Sequence, residues 1–237
     1  VELAHCLMQD MMLRETDFIF LPHIIGLCVT NGIKASVNCP LLQGEPYYLR
    51  TAFPEAAGRN VLSPTLDFNA GFEFMAKEFA SLGRSLGGDK LRCLKAWQSA
   101  LSAQTQSVRQ MKEQGRILLE KLEASPEKIG VVLFGRSYSA FAQEANLGVP
   151  HKFASQGQLI IPWEYLSYDD EEPEPHMFWS IGQMMLKAAK LTVKHPQLFA
   201  AYITNFSCGP DSFVVGYFRD IMGKKPALIL ELDSHVA

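Results

Sequence analysis

The residues of this 237-residue chain best suited to chemistry fall in one short string, Asn205-Phe206-Ser207-Cys208-Gly209-Pro210-Asp211. An apolar run over residues 198–203 leads into it and an amphipathic run over 212–222 follows. That pattern predicts strand, tight turn and helix, with a thiol at the turn. A helix N-terminus presents unpaired N–H groups and partial positive charge. Both favour thiolate over thiol, so a cysteine there is a better nucleophile and a better metal ligand. A second string, Asn38-Cys39-Pro40, repeats the arrangement, with Gly44 close behind. Its asparagine can hold an irregular loop by bonding neighbouring backbone. Taken alone, Cys39 reads as structural; paired with Cys208 it suggests two ligands facing each other across a cleft. Two thiolates do not complete a cubane iron–sulfur site, which takes four ligands or three with one open iron position. The other cysteines, Cys6, Cys28 and Cys93, lie at wide spacings with no CxxC pair. Zinc-ribbon and thioredoxin-like motifs are excluded, and free thiols in a reducing cytoplasm are expected.

Three further groups can do chemistry. Gly135-Arg136-Ser137-Tyr138 offers backbone N–H groups and a guanidinium to a phosphate or an anionic cluster. Neither a GxGxxG fingerprint nor a P-loop spacing is present, so nucleotide binding has no motif behind it. Trp163 and Glu164 follow a second apolar run. Glu231, Asp233 and His235 alternate and share a face, as an acid–base set or as a solvated strand end. Cys208 with His235 is a candidate nucleophile–base pair, which needs hydrogen-bond reach between them. The acidic run 169–174 reads as an exposed loop, and His5, His23, His151, His176 and His195 show no metal-ligand spacing.

The elements that must position these groups are legible along the chain. Helix is expected over residues 3–15, strand over 17–25 with its apolar run 18–21 ended by Pro22, and a long irregular stretch over 26–59 with helix near 47–53. A short strand is expected at 60–64 and a helix at 71–82. From Asp89 to Glu123 apolar residues keep a helical period, with Asp89 as cap and Ser125-Pro126 as stop. At about 1.5 Å per residue such a helix spans roughly 50 Å, enough to bridge two lobes. Two helices broken near Gly115 are the alternative. Beyond residue 126 strands at 128–134, 158–162, 198–203 and 227–232 alternate with helices at 177–194 and 212–222. Short helical pieces are expected near 139–145 and 151–156. Near-continuous apolar strands separated by helices indicate an α/β fold with a parallel sheet covered on both faces. Ligands bind beyond the carboxyl ends of such strands, where Gly135-Arg136, Trp163-Glu164, Asn205–Asp211 and Glu231 all converge. The organisation expected is an N-terminal lobe at 1–88, truncated at its start, a bridging helix at 89–124 and a C-terminal lobe at 125–237.

Composition bounds the partners. A net charge of −3 with no basic stripe argues against nucleic acid. No apolar run approaches the roughly 20 residues of a membrane helix, and no signal peptide is visible, so a cytoplasmic protein is expected.

Several strings together resemble the acyl-CoA dehydratase activase-related proteins. They are Gly135-Arg136-Ser137-Tyr138, the run from Phe178-Trp179 to Ala189, Tyr202-Ile203-Thr204-Asn205 through Ser212-Phe213, and Leu230-Glu231-Leu232-Asp233-Ser234-His235. Val1-Glu2-Leu3-Ala4-His5, Asp17-Phe18-Ile19-Phe20-Leu21-Pro22 and Asn38-Cys39-Pro40 agree more loosely. The domain is similar to the cluster-bearing subunits of 2-hydroxyacyl-CoA dehydratases and benzoyl-CoA reductases. The resemblance implies two Rossmann-like lobes with a cleft holding an iron–sulfur cluster, each cluster bound by about three cysteines. Cys39 and Cys208 match two metal-ligand positions, and the family's first cysteine falls a few residues before Val1. Gly135, Arg136, Asn205 and Gly209 are the candidate cofactor-binding residues, with Arg136 and backbone N–H groups expected to balance the charge of a cluster. The partners implied are an ATP-dependent activator that supplies low-potential electrons and a CoA thioester, with a homo-oligomer as a further expectation. The activator's own ATP-binding domains have no counterpart in this chain, so no ATPase activity is expected. The family more often has Gly-Arg-Pro at 135–137 and glycine at Cys6. The competing function is a non-catalytic interaction module that docks an activator or scaffold.

Overall fold

A computed structural model describes residues 1–32, 36–205 and 208–232. The chain divides into two compact units, residues 1–29, 34–103 and 178–180 in the first and 30–33, 104–177 and 181–237 in the second.

The first unit contains α1 (Glu2–Leu13), β1 (Ile19–Phe20), β2 (His23–Leu27), α2 (Pro40–Gln43), α3 (Glu45–Ala52), β3 (Val61–Leu62), β4 (Thr65–Phe68) and α4 (Ala76–Ser85). The single strand expected at 17–25 is two. Pro22 has no N–H to give a ladder, and the chain leaves the pairing of β1 with β3 before it enters that of β2 with β4. Both pairs are parallel. The short β4 was not anticipated, although its four residues alternate exposed and buried, the period of a half-covered strand. Two small cores serve this unit. Met8, Ile19, Leu21, Leu49 and Phe53 form one; Leu66, Phe68 and Met75 form the other, with Phe79 stacked on Trp97 at 4.3 Å beside it.

Helix α5 (Lys90–Glu123) runs unbroken for 34 residues, and the Arg92 N–H donates to Asp89 Oδ1 at 3.0 Å to cap its start. Residues 90–103 belong to the first unit and 104–123 to the second. Gly115 does not break the helix. It is buried against the backbone carbonyl of Tyr165, where any Cβ would collide.

The second unit is built on β5 (Gly130–Phe134), β6 (Leu159–Pro162), β7 (Leu198–Thr204) and β8 (Ala227–Glu231), all parallel, in the order β6-β5-β7-β8. Between them lie α6 (Gln143–Asn146), α7 (Val149–Ser155), α8 (Ser180–Lys194) and α9 (Gly209–Met222). Every residue of β5 is buried, which explains its uninterrupted apolar sequence. One face of the sheet packs Val131, Leu133, Ala201 and Ile203 with Val149 and Phe153 of α7. On the other, Phe218 of α9 meets Phe134 and Tyr202, each ring pair 5.1 Å apart. The sheet is not covered on both faces throughout: β8 exposes Ala227 and Leu228, because it lies at the end of the strand order.

The acidic segment 169–174 is not a free loop. Three lysines on one side of α8 hold it: Lys187 Nζ donates to the Asp169 carbonyl at 2.7 Å, Lys190 pairs with Glu174 at 2.6 Å and Lys194 with Glu171 at 2.5 Å. Lys187 is fully buried and also donates to the Thr30 carbonyl at 2.7 Å. Burial pushes its pKa below the usual lysine value. Among the described residues no helix is long and apolar enough to cross a membrane.

Candidate functional site

The strand order fixes where a ligand would sit in the second unit. The chain leaves β5 for β6 on one side and leaves β7 for β8 on the other, so the order reverses between β5 and β7. In open parallel sheets that reversal opens a crevice beyond the carboxyl ends of the two strands. Gly135-Arg136 follows β5 there, and Asn205 and Cys208 follow β7.

Gly135 makes the exit from β5 possible. Its φ of +135° is open to glycine, and an added Cβ would meet the Ile203 carbonyl and the Ala140 side chain. The Trp163 indole N–H donates to the Gly135 carbonyl at 3.0 Å, so Trp163 serves as a buried support for the turn. One turn of π-helix, Ser137–Phe141, follows, and the Ser139 and Ala140 N–H groups donate to the Arg136 carbonyl at 3.0 and 2.7 Å. π-turns of this kind occur often at functional sites. The backbone of Arg136 is thereby fixed, and its side chain is only 11% exposed.

Cys208 occupies the N-cap position of α9, with Gly209 and Pro210 opening the helix. Arg136 Nη2 lies 3.5 Å from the Cys208 sulfur, and Arg136 Nε donates to Asp211 Oδ1 at 3.1 Å. The Thr204 hydroxyl donates to Asp211 Oδ2 at 3.0 Å. Four side chains from two strand ends and one helix thus form a single connected group. Burial works against the charge of Arg136, but Asp211 and Cys208 facing it outweigh that and hold its pKa above the usual arginine value. The expectation of a thiolate-favouring turn fails for the free side chain. Burial pushes the Cys208 thiol up, the Asp211 carboxylate pushes the same way, and Arg136 only partly opposes them. A half-buried sulfur loses more hydration than the helix end returns.

Asp211 closes the string that the sequence points to, but its role beside Arg136 was not anticipated, nor was that of Thr204. The signal was present, since an acidic residue in the first turn of a helix complements its positive end. Glu164 is half-buried just past β6, and burial raises its carboxyl above the usual range. Glu231 is exposed at the end of β8, while Asp233 and His235 lie outside the described residues, and with them the Cys208–His235 pair. Phe206 and Ser207 lie outside them as well.

Cys39 belongs to the first unit. It is buried at the N-cap position of α2, a helix of four residues with Pro40 at its start. The Asn38 N–H donates to the Ile25 carbonyl at 2.8 Å, and Gln43 Nε2 donates to the Asn38 carbonyl at 2.7 Å. The Asn38 carboxamide is buried with neither its oxygen nor its nitrogen hydrogen-bonded among the described residues. Tyr48 stands close enough to Cys39 and Glu45 that, after burial, their charges raise its phenol further, and His5 stacks on the Tyr48 ring at 5.5 Å. Cys6 and Cys28 are exposed free thiols, and Cys93 packs against Gly83 and Gly88. Among the described residues no group of three or more His, Cys, Asp or Glu side chains is placed to hold a metal ion.

A family model described as "CoA enzyme activase uncharacterised domain (DUF2229)" matches residues 1–166. No curated protein and no solved structure matches the chain.

Proposed function

The chain belongs to the CoA enzyme activase uncharacterised domain family, and from that premise we propose that it is the iron–sulfur-bearing part of an ATP-driven, low-potential reductase or dehydratase system acting on CoA thioesters. Cys208 in the second unit and Cys39 in the first are the candidate thiolate ligands, each in its own unit. The observation that carries this reading is the Cys208 sulfur at the β5/β7 crevice with a guanidinium 3.5 Å away. The residues present fit an iron–sulfur group as separate ligand positions. Each thiol sits at an N-cap position, is free of disulfide, and lies in a loop of Asn, Gly and Pro. Neither position brings a set of three ligands among the described residues, so neither completes a cluster site by itself.

When bound, such a cluster supplies one-electron chemistry at low potential. The chain's own residues do the rest. Arg136 offsets the negative charge that thiolate ligation creates, and it donates a hydrogen bond to the ligating sulfur, which raises a reduction potential. Gly135, held by Trp163, brings the backbone of β5 close to the site, and Gly209 leaves the N-terminus of α9 uncovered. Asn205 spans the turn between β7 and Cys208, whose N–H donates to the Asn205 carbonyl at 3.0 Å. The partner that fits this role is an ATP-hydrolysing activator delivering electrons.

Anaerobic reconstitution with iron and sulfide tests the reading. The protein is expected to take up both and show the visible absorption of thiolate-bound iron; Cys208→Ala is expected to lose most of it, and Cys39→Ala a comparable share. Iron uptake unchanged by Cys208→Ala sinks the proposal. A protein that never takes up iron yet binds an activator moves the chain to the competing reading, a docking module.

A further inference from the structure

The group around Cys208 contains more than a counter-charge. Asp211 uses both of its oxygens, Oδ1 for Arg136 Nε and Oδ2 for the Thr204 hydroxyl. Its carboxylate cannot rotate without losing one of them. The guanidinium is planar, so fixing Nε also fixes the direction in which Nη2 points, and that direction is the Cys208 sulfur at 3.5 Å. A lysine could not do this, since its ammonium is a point charge on a flexible stem. The pair is almost wholly withdrawn from water, with side-chain exposures of 11% for Arg136 and 2% for Asp211. Buried ion pairs of this kind stabilise poorly compared with apolar side chains of the same volume, so stability alone does not account for it. Cys208 also stands at the positive end of α9, a helix of 14 residues. Arg136 and the helix end act on one sulfur with positive charge, against the Asp211 carboxylate that acts on the same sulfur with the opposite sign.

We propose that Thr204 and Asp211 are positioning residues that aim Arg136 at the Cys208 sulfur, so that its guanidinium favours an anionic over a neutral reactant at that sulfur. This stands on the geometry around Cys208 and does not rest on the proposed function.

The test uses the metal-free chain and two alkylating reagents of similar size, iodoacetate and iodoacetamide. Each is attacked by the same thiolate; a sulfur–carbon bond forms and iodide leaves. The ratio of the two rates at Cys208, followed by mass spectrometry of its peptide, therefore cancels the thiolate population and reports the local potential. Arg136→Met is expected to lower the iodoacetate-to-iodoacetamide ratio about fivefold, the order expected for losing one nearby, partly screened charge. Arg136→Lys, which keeps the charge without the fork, should recover less than half of that loss. Thr204→Val leaves every charge in place and should lower the ratio about twofold, with Thr204→Ser restoring it; this variant carries the test should Arg136→Met not fold. A ratio unmoved by Arg136→Met or by Thr204→Val overturns the proposal, as does a Cys208 that reacts with neither reagent. No iron is involved, so failed cluster assembly and failed anion selection give separate results.

Discussion

Two strings of nearly the same type, Asn38-Cys39-Pro40 in the first unit and Asn205 through Cys208-Gly209-Pro210 in the second, are built in opposite ways. Cys208 opens a helix of 14 residues at the end of a seven-residue strand, and its sulfur meets an arginine brought from the end of another strand. Cys39 opens a helix of four residues and is buried, beside a carboxamide with no partner of its own among the described residues. A large sheet can deliver a charged partner to a turn from far along the chain; two-stranded pairs joined by short helices leave the turn to local groups. The electrostatic character of a cysteine is therefore set by what the sheet brings, and the cysteine's neighbours in sequence do not announce it.

Substitutions on the two sides should behave as differently as the two sites are built. The largest effect is expected at Arg136→Ala, which strands the Asp211 carboxylate in the interior. Urea denaturation should show a loss of about 3–5 kcal/mol, and a loss below 1 kcal/mol would mean that the pair is solvated. Asn38→Leu should go the other way. Removing an unpartnered buried amide for an apolar group of similar size is expected to be neutral or stabilising by about 1 kcal/mol in the same measurement. A clear loss there would instead show that a bound group satisfies the carboxamide, and would make the two sites more alike.

The smallest effect concerns pH. Burial raises the Glu164 carboxyl above its unfolded value. The stability tied to its protonated form is complete below the unfolded value, near 4.5, and is lost as pH rises through the higher folded value. Glu164→Gln should therefore stabilise the protein by a few tenths of a kcal/mol at neutral pH and make no difference at acidic pH, read as the difference between two denaturation curves. A gain that persists at low pH removes burial as its cause.

The second unit was far more legible in sequence than the first. Its strands at β5, β6, β7 and β8 stand within about two residues of expectation; β5 and β7 are buried almost throughout and so are apolar throughout, while β8 keeps an apolar run although it is partly exposed. In the first unit a strand of two residues such as β1 or β3 carries no period at all, and β4 shows only two repeats of one. The 34-residue α5 was legible end to end because many apolar residues repeat in phase and Asp89 marks its start. The Cys208 turn was legible as strand–thiol–helix, while its electrostatics were not. The Asp211 carboxylate, only three residues on in the first turn of α9, and the depth of the sulfur reverse the expected shift; the first was present in the sequence, and the second depends on packing that sequence order does not encode. The acidic run 169–174 is a loop, as expected, with Asp170 and Glu172 exposed; its tethering was not legible, since the lysines that hold it lie one helix later.

Gly115 has a consequence for α5 over residues 104–123. Successive residues on a helix differ by about 100° in azimuth. Only the residue without a Cβ can face the Tyr165 carbonyl, and the neighbouring positions hold Gln114 and Arg116. A roll of the cylinder by one step would drive a long polar side chain into that carbonyl. The missing methyl at residue 115 therefore works as an indexing notch, assigning the side chains of residues 104–123 their compass bearing within the second unit.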